Sequence, residues 1–155
     1  MPPMPQSIQQ FFSAGRIAVA GVSRQGNQPA NAIFKKLRNS GHDVIAVNPN
    51  ATEIEGEPCF PDLASIPGDL GALMIVSHPE VSADLVRQAA ARGIKHVWFH
   101  RSFGDGSVSA EAIRECERIG IVPIVGGCPM MYCAPVDIGH RCFRWWLGLR
   151  RRVPV

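Results

Sequence analysis

The sequence predicts an α/β chain: a doubly wound, mostly parallel sheet with helices on both faces. Short apolar or β-branched runs alternate with segments of helical periodicity along most of the 155 residues. Glycine or proline punctuates nearly every junction between them. The runs are apolar at consecutive positions, as in strands buried on both faces, and right-handed crossovers between such strands put helices on either side of the sheet.

Ser7-Ile-Gln-Gln resembles a capping box and predicts a short helix over 7–14, ended by Gly15, with Phe11 and Phe12 available for packing. Residues 16–20 read as the first strand and 21–28 as a polar, glycine-containing loop. From Pro29, the apolar Ile33, Phe34 and Leu37 recur at helical spacing until Gly41. Residues 43–47 repeat the strand signature and stop at Asn48-Pro49-Asn50, completing a βαβ unit. Residues 51–68 read as irregular, with room for a short strand near Cys59 and one turn over 62–66, because Pro58, Pro61 and Pro67 forbid a long helix. A strand at 72–76, a helix over 79–92, a strand at 96–99, a helix over 109–119 and a strand at 121–125 follow. The order is Rossmann-like, in one domain spanning 1–155. In the tail, Ile138, Cys142, Trp145, Trp146 and Leu149 share a helical face, predicting a docking helix at about 137–149.

Hydrophobic residues make up 46% of the chain and no apolar run reaches the roughly 18 residues of a spanning helix, so a membrane role is not expected. The first residues lack a basic and apolar leader, which points to the cytoplasm. Five cysteines, an odd number without an export signal, argue for reduced thiols. The net charge of +3 owes much to Arg141, Arg144 and Arg150 to Arg152. One short arginine cluster is an insufficient nucleic-acid footprint, and the neighbouring tryptophans read as packing residues, making a homodimer plausible.

Open parallel sheets bind ligands outside the carboxyl ends of their strands. This selects residues 21–28, 48–50, 77–79, 100–108 and 126–128. The loop Gly21, Val22, Ser23, Arg24, Gln25, Gly26 follows a strand and precedes a helix, where backbone N–H groups attract phosphate; Ser23 adds a hydroxyl and Arg24 a charge. An ordinary βα turn without ligand is the plainer alternative. The dinucleotide fingerprint is incomplete: position 23 is Ser, and strand two runs into Asn48-Pro49 without the acid that holds the ribose of NAD. No Arg stands there for NADP, and no Gly-Lys-Ser/Thr completes a P-loop.

Val19-Ala-Gly-Val-Ser, Val47-Asn-Pro, Ile66-Pro, Ala91-Arg-Gly-Ile-Lys, Val97-Trp and Gly127-Cys-Pro, in that order, resemble the small bacterial and archaeal CoA-binding domain proteins. They also resemble the CoA-binding domain of the succinyl-CoA synthetase α subunit, over about residues 7–131. The resemblance implies that the ligand is coenzyme A or an acyl-CoA. It implies that Ser23 to Gly26 wrap the phosphates and that Asn48 and Pro49 border the adenosine. Ser77, His78 and Pro79 would line the pantetheine passage, with Phe99 and His100 beyond it. Relatives often carry Lys where Asn50 stands, Gln at His100 and Arg-Cys-Pro at Gly127-Cys128-Pro129. Arg24 is the expected substitute for the missing lysine in contacting the 3′-phosphate.

No Ser-His-Asp set, carboxylate pair or nucleophile elbow is evident, so a non-catalytic binding or regulatory module is the first expectation. The rival is an enzyme acting on a CoA thiol or thioester through Cys128 and His100 with Arg101, where His100-Arg101-Ser102 opens the adjoining glycine-containing loop. A nicotinamide-dependent oxidoreductase ranks below both. Cys128, Cys133, Asp137, His140 and Cys142 cluster within fifteen residues, yet their spacing matches no zinc knuckle, and no metal is expected. Asp137 and His140 are spaced for a capping or hydrogen-bonded pair instead.

Overall fold

A computed structural model describes residues 3–101 and 106–154. Among these, seven strands form a sheet, β1 (Ile17–Ala20), β2 (Val44–Val47), β3 (Glu53–Ile54), β4 (Glu57–Phe60), β5 (Ala72–Ile75), β6 (His96–Phe99) and β7 (Ile124–Val125), in the order β3-β4-β2-β1-β5-β6-β7. All pairings are parallel except that of β3 with β4. The first strand is flanked by β2 on one side and β5 on the other, so the chain reverses its direction of travel across the sheet at β1. The crevice beyond the ends of β1 and β5 is therefore the topological switch point.

Alternate strand residues face opposite layers. Ile17, Val19, Met74 and Trp98 pack under α1 (Gln6–Ser13) and α2 (Pro29–Asn39), together with Phe11, Ile33, Phe34 and Leu37. Ala18, Ala20, Leu73, Ile75, Val97 and Phe99 pack under α3 (Pro79–Ala91) and α4 (Ala110–Ile119), against Leu85, Val86 and Cys116. Trp98 meets Phe11 edge to face at 5.3 Å and donates its indole N–H to the Gly126 carbonyl at 2.8 Å. That bond fastens β6 to the chain leaving β7.

The structure corrects three readings of the sequence. The proline-rich segment is not irregular throughout: β3 and β4 form a hairpin on a two-residue turn, Glu55 (φ 52°) and Gly56 (φ 75°), both left-handed as such a hairpin requires. The last strand starts at Ile124, not Ile121, because Gly120 closes α4 in the left-handed region, Ile121 bonds back to Cys116, and Pro123 lacks an N–H. The tail does form a helix, α5 (Ile138–Leu149), but it buries a different face. Leu147 is fully buried and Arg144 lies over the Tyr132 ring at 4.3 Å, donating also to the Pro3 carbonyl. The apolar stripe stays outside, with Ile138 77%, Trp145 64% and Leu149 67% exposed. A cation flat on an aromatic ring, carrying a long hydrocarbon stem, fits the interface that hydropathy alone assigns to the tryptophans.

Candidate functional site

Close backbone approach shapes the crevice. Gly21 ends β1 with φ 103°, and a Cβ there would lie 2.7 Å from the Ser77 nitrogen, so only glycine lets the β1 and β5 loops touch. The loop after Gly21 is held by a residue that the sequence reading did not single out. Asn31, fully buried in the first turn of α2, accepts from the Ser23 N–H at 3.0 Å and donates to the Ser23 carbonyl at 2.7 Å. It also donates to Glu55 Oε1 at 2.9 Å, and Lys35 Nζ stands 3.7 Å from that carboxylate. A polar residue at helical spacing from Phe34, on the apolar face of α2, was the available signal.

Ser23 Oγ in turn accepts from the Gln25 N–H at 3.0 Å. Two amides counted as phosphate donors are thus satisfied within the loop, while those of Arg24 and Gly26 take no part in these bonds. Val22 is buried beneath them. Both α2 and α3 begin with proline and lack a side-chain cap, so two helix N-termini open toward this end of the sheet with partial positive charge.

Asn48 is a clamp: its Nδ2 donates to the Val22 carbonyl at 2.8 Å and its Oδ1 accepts from the Asn50 N–H at 2.8 Å. Arg24 and Asn50, both exposed, face a shared hollow with Pro49 and Pro61. An adjoining cleft of about 460 Å³ runs from Asn48, Pro49 and Asn50 to Ser77 and His78. Ser77, His78, Pro29 and His100 then line a narrower stretch of about 280 Å³. The Ser77 carbonyl accepts from the Ser107 hydroxyl at 2.7 Å, and Ser82 donates to the Ser107 carbonyl at 2.6 Å, which pins the loop. The buried Ser77 Oγ itself has no hydrogen-bond partner among the described residues. Pro79 supplies the first residue of α3 behind it.

Past His100 the passage widens into a hollow of about 620 Å³ whose lining includes Cys128, Met130 and residues of α5. Burial pushes the His100 imidazole down to about 4, so it is neutral at physiological pH. Burial likewise raises the Cys128 thiol to about 11, against a weaker opposing effect of its hydrogen bond with the Met130 backbone. Neither is poised as a base or thiolate. Phe99 lies elsewhere, wholly buried in the core under α3 and α4, and lines none of these hollows. Ser102 lies outside the described residues.

The Cys/His-rich tail is dispersed. Cys133 is buried, Cys142 is exposed on the outer face of α5, and among the described residues no three His, Cys, Asp or Glu side chains gather around a common point. Asp137 instead caps α5: Oδ1 accepts from the His140 N–H at 3.0 Å, and Oδ2 lies 2.6 Å from His140 Nδ1. These bonds hold the Asp137 carboxyl below its ordinary range. No described helix is long and apolar enough to cross a membrane.

Residues 15–134 match the family model described as CoA binding domain. The ADP-forming acetate–CoA ligase I of Archaeoglobus fulgidus is 28% identical over 127 residues, 78% of this chain but 18% of the ligase. The α subunit of ADP-forming acetate–CoA ligase II from Pyrococcus furiosus is 27% identical over 109 residues, 70% of this chain and 24% of the subunit. The chain therefore spans a minor part of these curated relatives. Among solved structures, a conserved hypothetical protein of Pyrococcus furiosus superposes with a TM-score of 0.63 at 32% identity, covering 73% of this chain and 93% of that one. A hypothetical protein of Pyrococcus horikoshii gives 0.72 at 26%, covering 83% and 92%.

Proposed function

Because this chain belongs to the CoA-binding domain family, we propose that it binds coenzyme A or an acyl-CoA along the crevice at the carboxyl ends of β1 and β5, as a binding or regulatory module without chemistry of its own. The observation that carries this is the run of hollows from Arg24 and Asn50 past Ser77 to His100 and Cys128, each sharing a wall with the next. Its length and changing polarity suit an elongated ligand with phosphates at one end and a thiol at the other. Arg24 and the N-terminus of α2 take the phosphates. Asn48, Pro49 and Asn50 border the nucleoside. Ser77 and His78 line the passage taken by pantetheine.

The protein binds its ligand in the cytoplasm, and the outward stripe of α5 joins two copies in a homodimer. The neutral His100 and protonated Cys128 favour binding over thiol catalysis. Thermal unfolding with CoA, NAD and NADP tests the assignment: a ligand selective for the native state raises the midpoint. CoA alone should do so, and a shift with NAD but not CoA would sink the reading. Alkylation mapped by mass spectrometry at neutral pH should modify Cys142 while Cys128 resists; rapid labelling of Cys128 would favour the thiol enzyme.

A further inference from the structure

In the proposed binding mode the hollow past His100 receives only the thiol end of CoA. Its walls are Ala32 and Ile33 of α2, Cys128 and Met130 after β7, and Phe143 of α5. Its ionisable lining is His100 and the paired Asp137 and His140. No lysine or arginine is among the described residues lining it. His100, where the narrow stretch joins it, is neutral through burial, so an anionic group entering here would lose water and meet the Asp137 carboxylate rather than a fixed cation. The α5 wall lies beyond residues 15–134 that the family model matches.

Continuity decides what enters. The hollow shares Pro29, His100 and Gly106 with the narrow stretch that begins at Ser77. A pantetheine arm leaving that stretch delivers its sulfur to the mouth of an apolar chamber. Acetyl, roughly the volume of two or three waters at about 30 Å³ each, would leave most of the 620 Å³ open. We propose that this hollow is an acyl-chain subsite and that the chain's ligand is a CoA thioester of an uncharged, apolar acyl group several carbons long. The proposal rests on the CoA assignment above and adds the ligand class to it.

Titration calorimetry with CoA, acetyl-CoA, succinyl-CoA and octanoyl-CoA separates the two. Each methylene removed from water is worth roughly a fourfold gain in affinity at full burial, so octanoyl-CoA should bind at least about tenfold tighter than CoA or acetyl-CoA even with partial burial. Succinyl-CoA should bind no tighter than CoA. Ala32→Phe fills the chamber from α2 and should erase the octanoyl advantage while CoA affinity changes less than about twofold. Met130→Trp fills it from the other wall and serves if Ala32→Phe lowers the ligand-free melting midpoint. Equal affinity for CoA and octanoyl-CoA, or an octanoyl advantage surviving in the folded filled variant, overturns the subsite. Absence of binding by CoA and every thioester overturns the CoA assignment beneath it.

Discussion

At the scale of single residues, the crevice divides between side chains that hold protein and side chains that face the hollow. Asn31 and Asn48 belong to the first group, since their amides are engaged by the Ser23, Glu55, Val22 and Asn50 contacts. Asn31→Ala removes the partner of the half-buried Ser23 amide and carbonyl, and urea denaturation should show a loss on the order of 2 kcal/mol; a loss within about 0.5 kcal/mol would mean water replaces the amide freely. Arg24 belongs to the second group. Arg24→Ala should weaken CoA by more than it weakens dephospho-CoA, as measured by calorimetry. Equal losses would leave the loop as a backbone cradle with no 3′-phosphate contact from Arg24.

At the scale of elements, α5 has two uses for two faces. Its inner face closes the chamber with Phe143 and seats Leu147 and Arg144 on the body. Its outer face leaves Ile138, Trp145 and Leu149 in water, an apolar patch that isolated chains seldom keep without a partner. Trp145→Lys leaves the inner contacts alone and should convert a dimer to a monomer in sedimentation equilibrium with its CoA affinity unchanged. A wild-type chain that sediments as a monomer across micromolar concentrations would remove the dimer.

At the scale of the whole molecule, stability should respond to pH through His100. Its folded pKa of about 4 lies below the ordinary 6.5, so between those values the unfolded chain binds a proton that the native chain refuses. Stability is then intact above about pH 6.5 and is lost as pH falls toward 4, by on the order of 2 to 3 kcal/mol. His42, lowered by burial too, acts in the same direction. His100→Gln should flatten the fall over pH 6.5 to 4 in denaturant titrations; an unchanged slope would show that His100 does not govern it. The exposed carboxylates of Asp62 and Asp137, held low by hydrogen bonds, lose their contribution only below this window.

What the sequence determined by itself was the fold class and the alternation of strands and helices outside the β3–β4 hairpin. Buried parallel strands must be apolar at successive positions, and glycine must stand where Gly21 meets the β5 loop. Those constraints are local and leave a mark in the residue pattern. The tertiary structure alone decided which face of α5 is buried, that Phe99 belongs to the core, and that Asn31 ties the loop. It alone brought Met130, Phe143 and the Asp137–His140 pair around the space beyond His100. Hydropathy ranks side chains by transfer from water, whereas Arg144 is buried because the Tyr132 ring and the Pro3 carbonyl are there to receive it. A cavity, likewise, is a relation between segments distant in the chain, and no single segment carries its shape.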